Sequence, residues 1–147
     1  REGTVQRRDW TLLVLAAAKG EPLTPVQLQK TLFLLEKQLP DAVGEDFYRF
    51  TPYHYGPFDS TVYEDARMLS DEGLAVISPS RHGRWSEYAA TPAAMERAEE
   101  VCAEVPRRVA AYIKTLVDWV RGQSFEDLLR AVYSSYPEMR EKSVFRG

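Results

Sequence analysis

Two histidines, one cysteine and many carboxylates are the residues of this 147-residue chain with types suited to bond chemistry. His54 stands in "FTPYHYGPFDS", framed by Tyr53 and Tyr55 with Asp59 close behind, and His82 stands in "SPSRHGRWS". No H-x-x-x-H or H-E-x-x-H spacing joins them, so no metal site is expected. Cys102 lies in "AEEVCAEV", where Glu99, Glu100 and Glu104 would raise its thiol pKa, the reverse of what a thiolate nucleophile requires. It reads as a packing residue. No Gly-rich phosphate loop occurs, and "GRWSEYA" lacks the G-x-S-x-G elbow. Carboxylate pairs such as Glu64-Asp65 and Asp71-Glu72 are adjacent on a helical pattern, where neighbours point in different directions and cannot share one site. The expectation is a non-enzymatic protein with no catalytic residues and no cofactor.

The totals set the remaining classes. Hydrophobic content of 44% and charged content of 28% fit one soluble globular domain. One cysteine excludes an internal disulfide and is compatible with a reducing cytoplasm. The formal charge of −3 argues against coating nucleic acid by bulk electrostatics. The apolar run "WTLLVLAAA" is far short of the ~20 residues that a membrane span needs, and no signal-peptide cleavage pattern follows it.

The elements that must position these residues are mostly helices. "DWTLLVLAAAKG" predicts a helix capped by Asp9 and stopped at Gly20. In "TPVQLQKTLFLLEKQLP", Thr24 caps, Pro25 takes the first helical position and Gln27 completes a capping box, with Leu28, Leu32, Leu35 and Leu39 as the stripe. "FYRFTPYHYGP" predicts one short extended segment ending at Gly56-Pro57. A helix over residues 59–72, capped by Asp59 or Ser60, precedes "LAVIS" and "RWSEYAAT", which predict a β-hairpin across "PSRHG". Three further helices follow: from Thr91-Pro92 to Val105, from Pro106 to Gly122, and from a Ser124 cap to Tyr136.

The predicted fold class is mainly α with a small β-hairpin. The order of helices and hairpin matches a winged helix-turn-helix-like domain with additional C-terminal helices. Residues 1–91 form the winged unit and residues 92–147 a helical extension packed on it as one compact domain. The phrases "PVQLQKTLFLLEK", "FYRFTPYHYGPFDSTVYEDARMLSDEGL" and "FEDLLRAVYSSYPEM" together resemble the Panacea (SocA-like) antitoxins and the related YwgA-like bacterial proteins, over most of residues 12–143. That resemblance implies a small winged-helix-like fold and a part in neutralising a toxin or adapting it to a protease through protein contacts. It brings no catalytic residues with it.

Charge weighs the two uses of such a fold. The segment in the recognition position carries Asp59, Glu64, Asp65, Asp71 and Glu72 against Arg67 alone, the wrong sign for phosphates. The expected function is therefore protein recognition, antitoxin-like or adaptor, by an acidic face beside an aromatic cluster. Tyr48, Arg49, Tyr53, His54, Phe58, Glu64 and Asp65 are its candidate residues. The partner would be a toxin or a regulatory protein, with the C-terminal aromatics available for a homodimer. The alternative is a DNA-binding regulator that contacts DNA mainly through the wing residues Arg81, His82 and Arg84, with an uncharacterised enzyme third.

Overall fold

The computed structural model describes residues 5–145. Its helices are α1 (Arg7–Ala17), α2 (Pro25–Gln38), the single turn α3 (Pro40–Val43), α4 (Thr61–Asp71), α5 (Pro92–Cys102), α6 (Arg107–Arg121) and α7 (Phe125–Ser135). A 3-10 turn, Pro137–Arg140, follows α7. Two separate antiparallel hairpins complete it: β1 (Thr51–Tyr53) with β2 (Gly56–Phe58), and β3 (Ala75–Pro79) with β4 (Ser86–Ala90). The fold is mainly α with small β-hairpins.

Helix α1 is the centre. Its residues from Trp10 to Ala16 are all buried, because α2, α4, α5, α6 and β4 surround it. A helix apolar on every face must be covered on every face, which explains the unbroken run "WTLLVLA". One hydrophobic cluster joins Leu12, Leu15, Leu28 and Phe33 with Val109, Ile113, Leu128 and Leu129, so both halves of the chain share a core.

Several local expectations hold and several shift. Thr24 accepts the Gln27 N–H at 3.1 Å while Gln27 accepts the Thr24 N–H at 3.0 Å, the reciprocal box expected from sequence. Ser124 accepts the Asp127 N–H at 3.0 Å and starts α7. Helix α1, however, begins before Asp9: Gln6 is its N-cap, and Asp9 accepts the Gln6 N–H from inside the first turn. Asp59 starts α4 by accepting the Thr61 N–H at 2.9 Å, whereas Ser60 makes no side-chain cap bond. Helix α5 stops at Cys102 rather than Val105. The chain tightens through Glu104 N–H to the Val101 carbonyl, since the residue before Pro106 cannot stay helical.

The largest difference is the stretch expected to be one extended segment. It folds back on itself, pairing Thr51 with Phe58 and Tyr53 with Gly56, so that His54 and Tyr55 form the turn. The second hairpin is as expected, running from the Ala75–Ala90 pair to the Pro79–Ser86 pair. Leu23 adds a one-residue bridge to Tyr88, bonding both ways at 2.8 and 3.0 Å, and so ties the entry of α2 to this hairpin.

Candidate functional site: an aromatic cleft over a buried lysine

Two consecutive side chains of α2 fix the first hairpin. Gln29 donates to the Asp59 carbonyl and accepts the Asp59 N–H, both at 3.0 Å. Lys30, only 2% exposed, donates from Nζ to the Pro57 carbonyl at 3.1 Å. Residues 56–59 are thus held against the helix by backbone bonds that any sequence there could accept. The close approach does demand glycine at position 56. Its φ is +94°, and a Cβ there would lie 3.3 Å from Lys30 Cε and 3.4 Å from Tyr133 Cε1.

Above this anchor lies a cavity of about 610 Å³. The 54–55 turn supplies one wall, the entry of α2 another, Phe125 at the start of α7 a third, and Trp85 from the second hairpin's loop closes the rim. Tyr53, Tyr55, Trp85 and Phe125 are 46%, 44%, 41% and 41% exposed. Large aromatics left that open usually scatter over a surface, but these four converge on one concavity, the arrangement of a binding site. The rings brace each other: Tyr53 stacks on His54 at 4.3 Å and on Phe58 at 4.8 Å, and Tyr55 meets Phe125 edge-on at 5.4 Å. Tyr53, Tyr55 and Phe125 are thereby pre-positioned, so little of their rotamer freedom remains to be lost on contact.

The cleft is also electrostatically one-sided. Its lining contains Lys30 and His54 but no aspartate or glutamate. The N-terminal end of α2, on the rim and without acidic residues in its first turn, adds positive potential, whereas Glu126 and Asp127 offset that of α7. Burial pulls the Lys30 ammonium down to about 7, with no carboxylate close enough to oppose it. Burial also pushes the Tyr63 hydroxyl in the wall up to about 12, against the bond from Gln29. Such an amine can hold an anion or, when neutral, act as a hydrogen-bond acceptor.

The residues singled out from sequence divide between this cleft and other places. Tyr53, His54 and Phe58 belong to its wall. Arg49 is exposed outside it, its backbone N–H donating to Asp59 Oδ2 at 2.7 Å. Tyr48 and Asp65 correct the expectation of an exposed patch, for they are 4% and 2% exposed. The Tyr48 hydroxyl donates to Asp65 Oδ2 at 2.6 Å and meets Thr11 Oγ1 at 2.7 Å, while Arg7 grips both Asp65 oxygens at 2.8 and 3.1 Å. Glu64, its chain neighbour, points to solvent. Arg81, His82 and Arg84 are all exposed on the loop between β3 and β4, which turns at Gly83. Cys102 is half-buried, its thiol raised first by burial, with Lys114 opposing and Glu99 adding.

Lys30 and Trp85 carry no motif in the sequence, and Phe125 stands there only among the C-terminal aromatics available for a homodimer. The available signal was a lysine inside "LQKTLFLL", an apolar run with no acidic neighbour at helical spacing before Glu36. Among the described residues no three His, Cys, Asp or Glu side chains are grouped for a metal ion, and no helix is long and apolar enough to cross a membrane. Compared with models of protein families, with curated proteins and with solved structures, the chain matches none.

Proposed function

We propose that this protein acts by recognition rather than catalysis, holding a polypeptide partner in the aromatic cleft, in an antitoxin-like or adaptor role. The observation that carries the reading is the convergence of Tyr53, Tyr55, Trp85 and Phe125, all exposed, on one cavity. Aromatic side chains in a concave, pre-braced setting are what dominates the energetics of protein contacts. In this reading α1, α2, α4 and the second hairpin form the winged helix-turn-helix-like unit, and α5 to α7 extend it. A cytoplasmic setting fits the lone cysteine.

The acidic helix plays a smaller part than its charge count implied. Asp65 is consumed by Arg7, Glu72 by Arg8, and the carboxylate of Asp59 by two backbone N–H groups, leaving Glu64 and Asp71 as the outward charges. Helix α4 still carries the wrong sign for the DNA backbone. One observation favours DNA as the second reading: Arg81, His82 and Arg84 all face solvent beside Trp85, a basic tip next to a stacking surface.

Panning a displayed random-peptide library against the wild type and against a Tyr55→Ala/Trp85→Ala double variant separates these readings. Sequences enriched on the wild type and lost on the variant support the cleft. Failure to enrich any sequence, or equal retention by both proteins, contradicts it. DNA binding that Arg81→Ala/Arg84→Ala abolishes, with a shallower salt dependence, would favour the second reading.

A further inference from the structure

The floor of the cleft holds a charge that nothing along its lining balances. Lys30 is 2% exposed, donates to the Pro57 carbonyl, and faces no carboxylate in the cavity lining. An unpaired buried cation is costly, and methionine would fill the same space without that penalty. A site that keeps such a group has a use for an anion. Around it, Tyr133 meets Gly56 from α7 with its hydroxyl bonded to Ser143, Tyr63 and His54 line the cavity, the exposed Glu126 and Asp127 follow Phe125 in the first turn of α7, and the Asp59 carboxylate is turned to the Arg49 and Thr61 N–H groups.

We infer that Lys30 receives the free C-terminal carboxylate of a polypeptide whose last, apolar side chains pack against Tyr55, Trp85 and Phe125. The inference rests on the polypeptide reading of the cleft. The charge chooses the anion: one cation and no arginine in the lining suit a monoanion, whereas phosphate recruits planar guanidinium forks. The dimensions choose the chain end. A cavity of about 610 Å³ has the volume of a pocket for a compact ligand. A terminal residue brings its carboxylate and its side chain from the same Cα, and Lys30 lines the same cavity as the aromatic walls. Capture of a terminal carboxylate is an established mode of peptide recognition, here performed by an ammonium.

The ammonium form is the one that binds, and burial brings its titration to about 7. A carboxylate therefore draws a proton onto the site above that pH, and affinity falls by up to about tenfold per pH unit as the proton becomes harder to supply. Isothermal calorimetry with three probes tests this: acetyl-Ala-Phe-Phe as the free acid, the same peptide as its amide, and acetyl-Phe-Glu-Phe amide, whose carboxylate is internal. At pH 6 the free acid is expected to bind at least tenfold tighter than either amide, and the advantage should vanish by pH 9. Repeating the free-acid titration at pH 8 in buffers of different ionisation enthalpy should show net proton uptake. Lys30→Met should bind acid and amide alike, while Arg49→Gln, outside the cleft, keeps the preference. Should Lys30→Met fail to fold, the wild-type pH series and proton uptake decide alone.

Equal affinity for acid and amide at pH 6 would overturn the role of Lys30 and leave the cleft reading standing. An internal-glutamate peptide as tight as the free acid would overturn the chain-end assignment. Binding of none of the three would contradict both.

Discussion

Among the described residues the molecule buries one carboxylate and one amine, Asp65 and Lys30, and they are set on opposite terms. At the junction of α1 and α4, Arg7, Asp65, Tyr48 and Thr11 satisfy one another at 2.6 to 3.1 Å. Lys30, on α2, is as enclosed as Asp65 but has a single carbonyl for company. The first is a weld: every polar atom of the carboxylate has a partner, so its contribution is to hold three segments in one arrangement. The second is strain left in place, next to the most exposed aromatic surface of the molecule. Burial alone does not distinguish structure from function; the completeness of the partners does.

The contrast can be broken at either end. Asp65→Ala should have the largest effect, a loss of about 3 kcal/mol by urea denaturation, because Tyr48 and Arg7 are left without their shared acceptor. A loss below about 1 kcal/mol would show that the weld is ornamental. Lys30→Met should go the other way, gaining about 2 kcal/mol at pH 7. The wild type should also close that gap as pH rises. The Lys30 pKa falls from 10.5 to about 7 on folding, so between those values the unfolded chain binds the additional proton. Wild-type stability, measured relative to Lys30→Met, should then rise by roughly 1 kcal/mol per pH unit from pH 7 to pH 9. A flat difference would mean that the lysine reaches water.

Gly56→Ala should cost about 1 kcal/mol, because an L side chain is strained at φ +94° and would press on Lys30 and Tyr133. Unchanged stability would show that the hairpin is not seated against α2 as described. Trp85→Ala should be the mildest for the fold, within about 0.5 kcal/mol, since the ring is 41% exposed. The same variant should weaken capture of any cleft ligand, and that separation of stability from binding is the signature of a site residue.

The sequence showed the helical frame well because its signals are local. Thr24, Pro25 and Gln27 announce α2 within four residues, and Ser124 announces α7 in the same way. The second hairpin was legible from its alternation and turn. The first was not, since three-residue strands give too little alternation to read and the turn residues His54 and Tyr55 are not turn formers. Of the candidate site, "YHYGP" was visible as an aromatic cluster, but its other walls come from Lys30, Trp85 and Phe125, far apart in the chain. Asp65 was read with Glu64 as surface charge because its partner Arg7 lies 58 residues away, and no local rule reaches that distance. Long-range pairing thus decided both outcomes: it hid Asp65 inside, and it left Lys30 without a counter-ion.

The most direct measurement is the NMR titration of the Lys30 side chain, observed at Cε in protein labelled on lysine. A midpoint near 7 in the free protein, moving up by a pH unit or more when the free-acid peptide saturates the cleft, is what an ammonium waiting for an anion predicts. A midpoint at the ordinary lysine value in the free protein, or one that the peptide leaves in place, would contradict it.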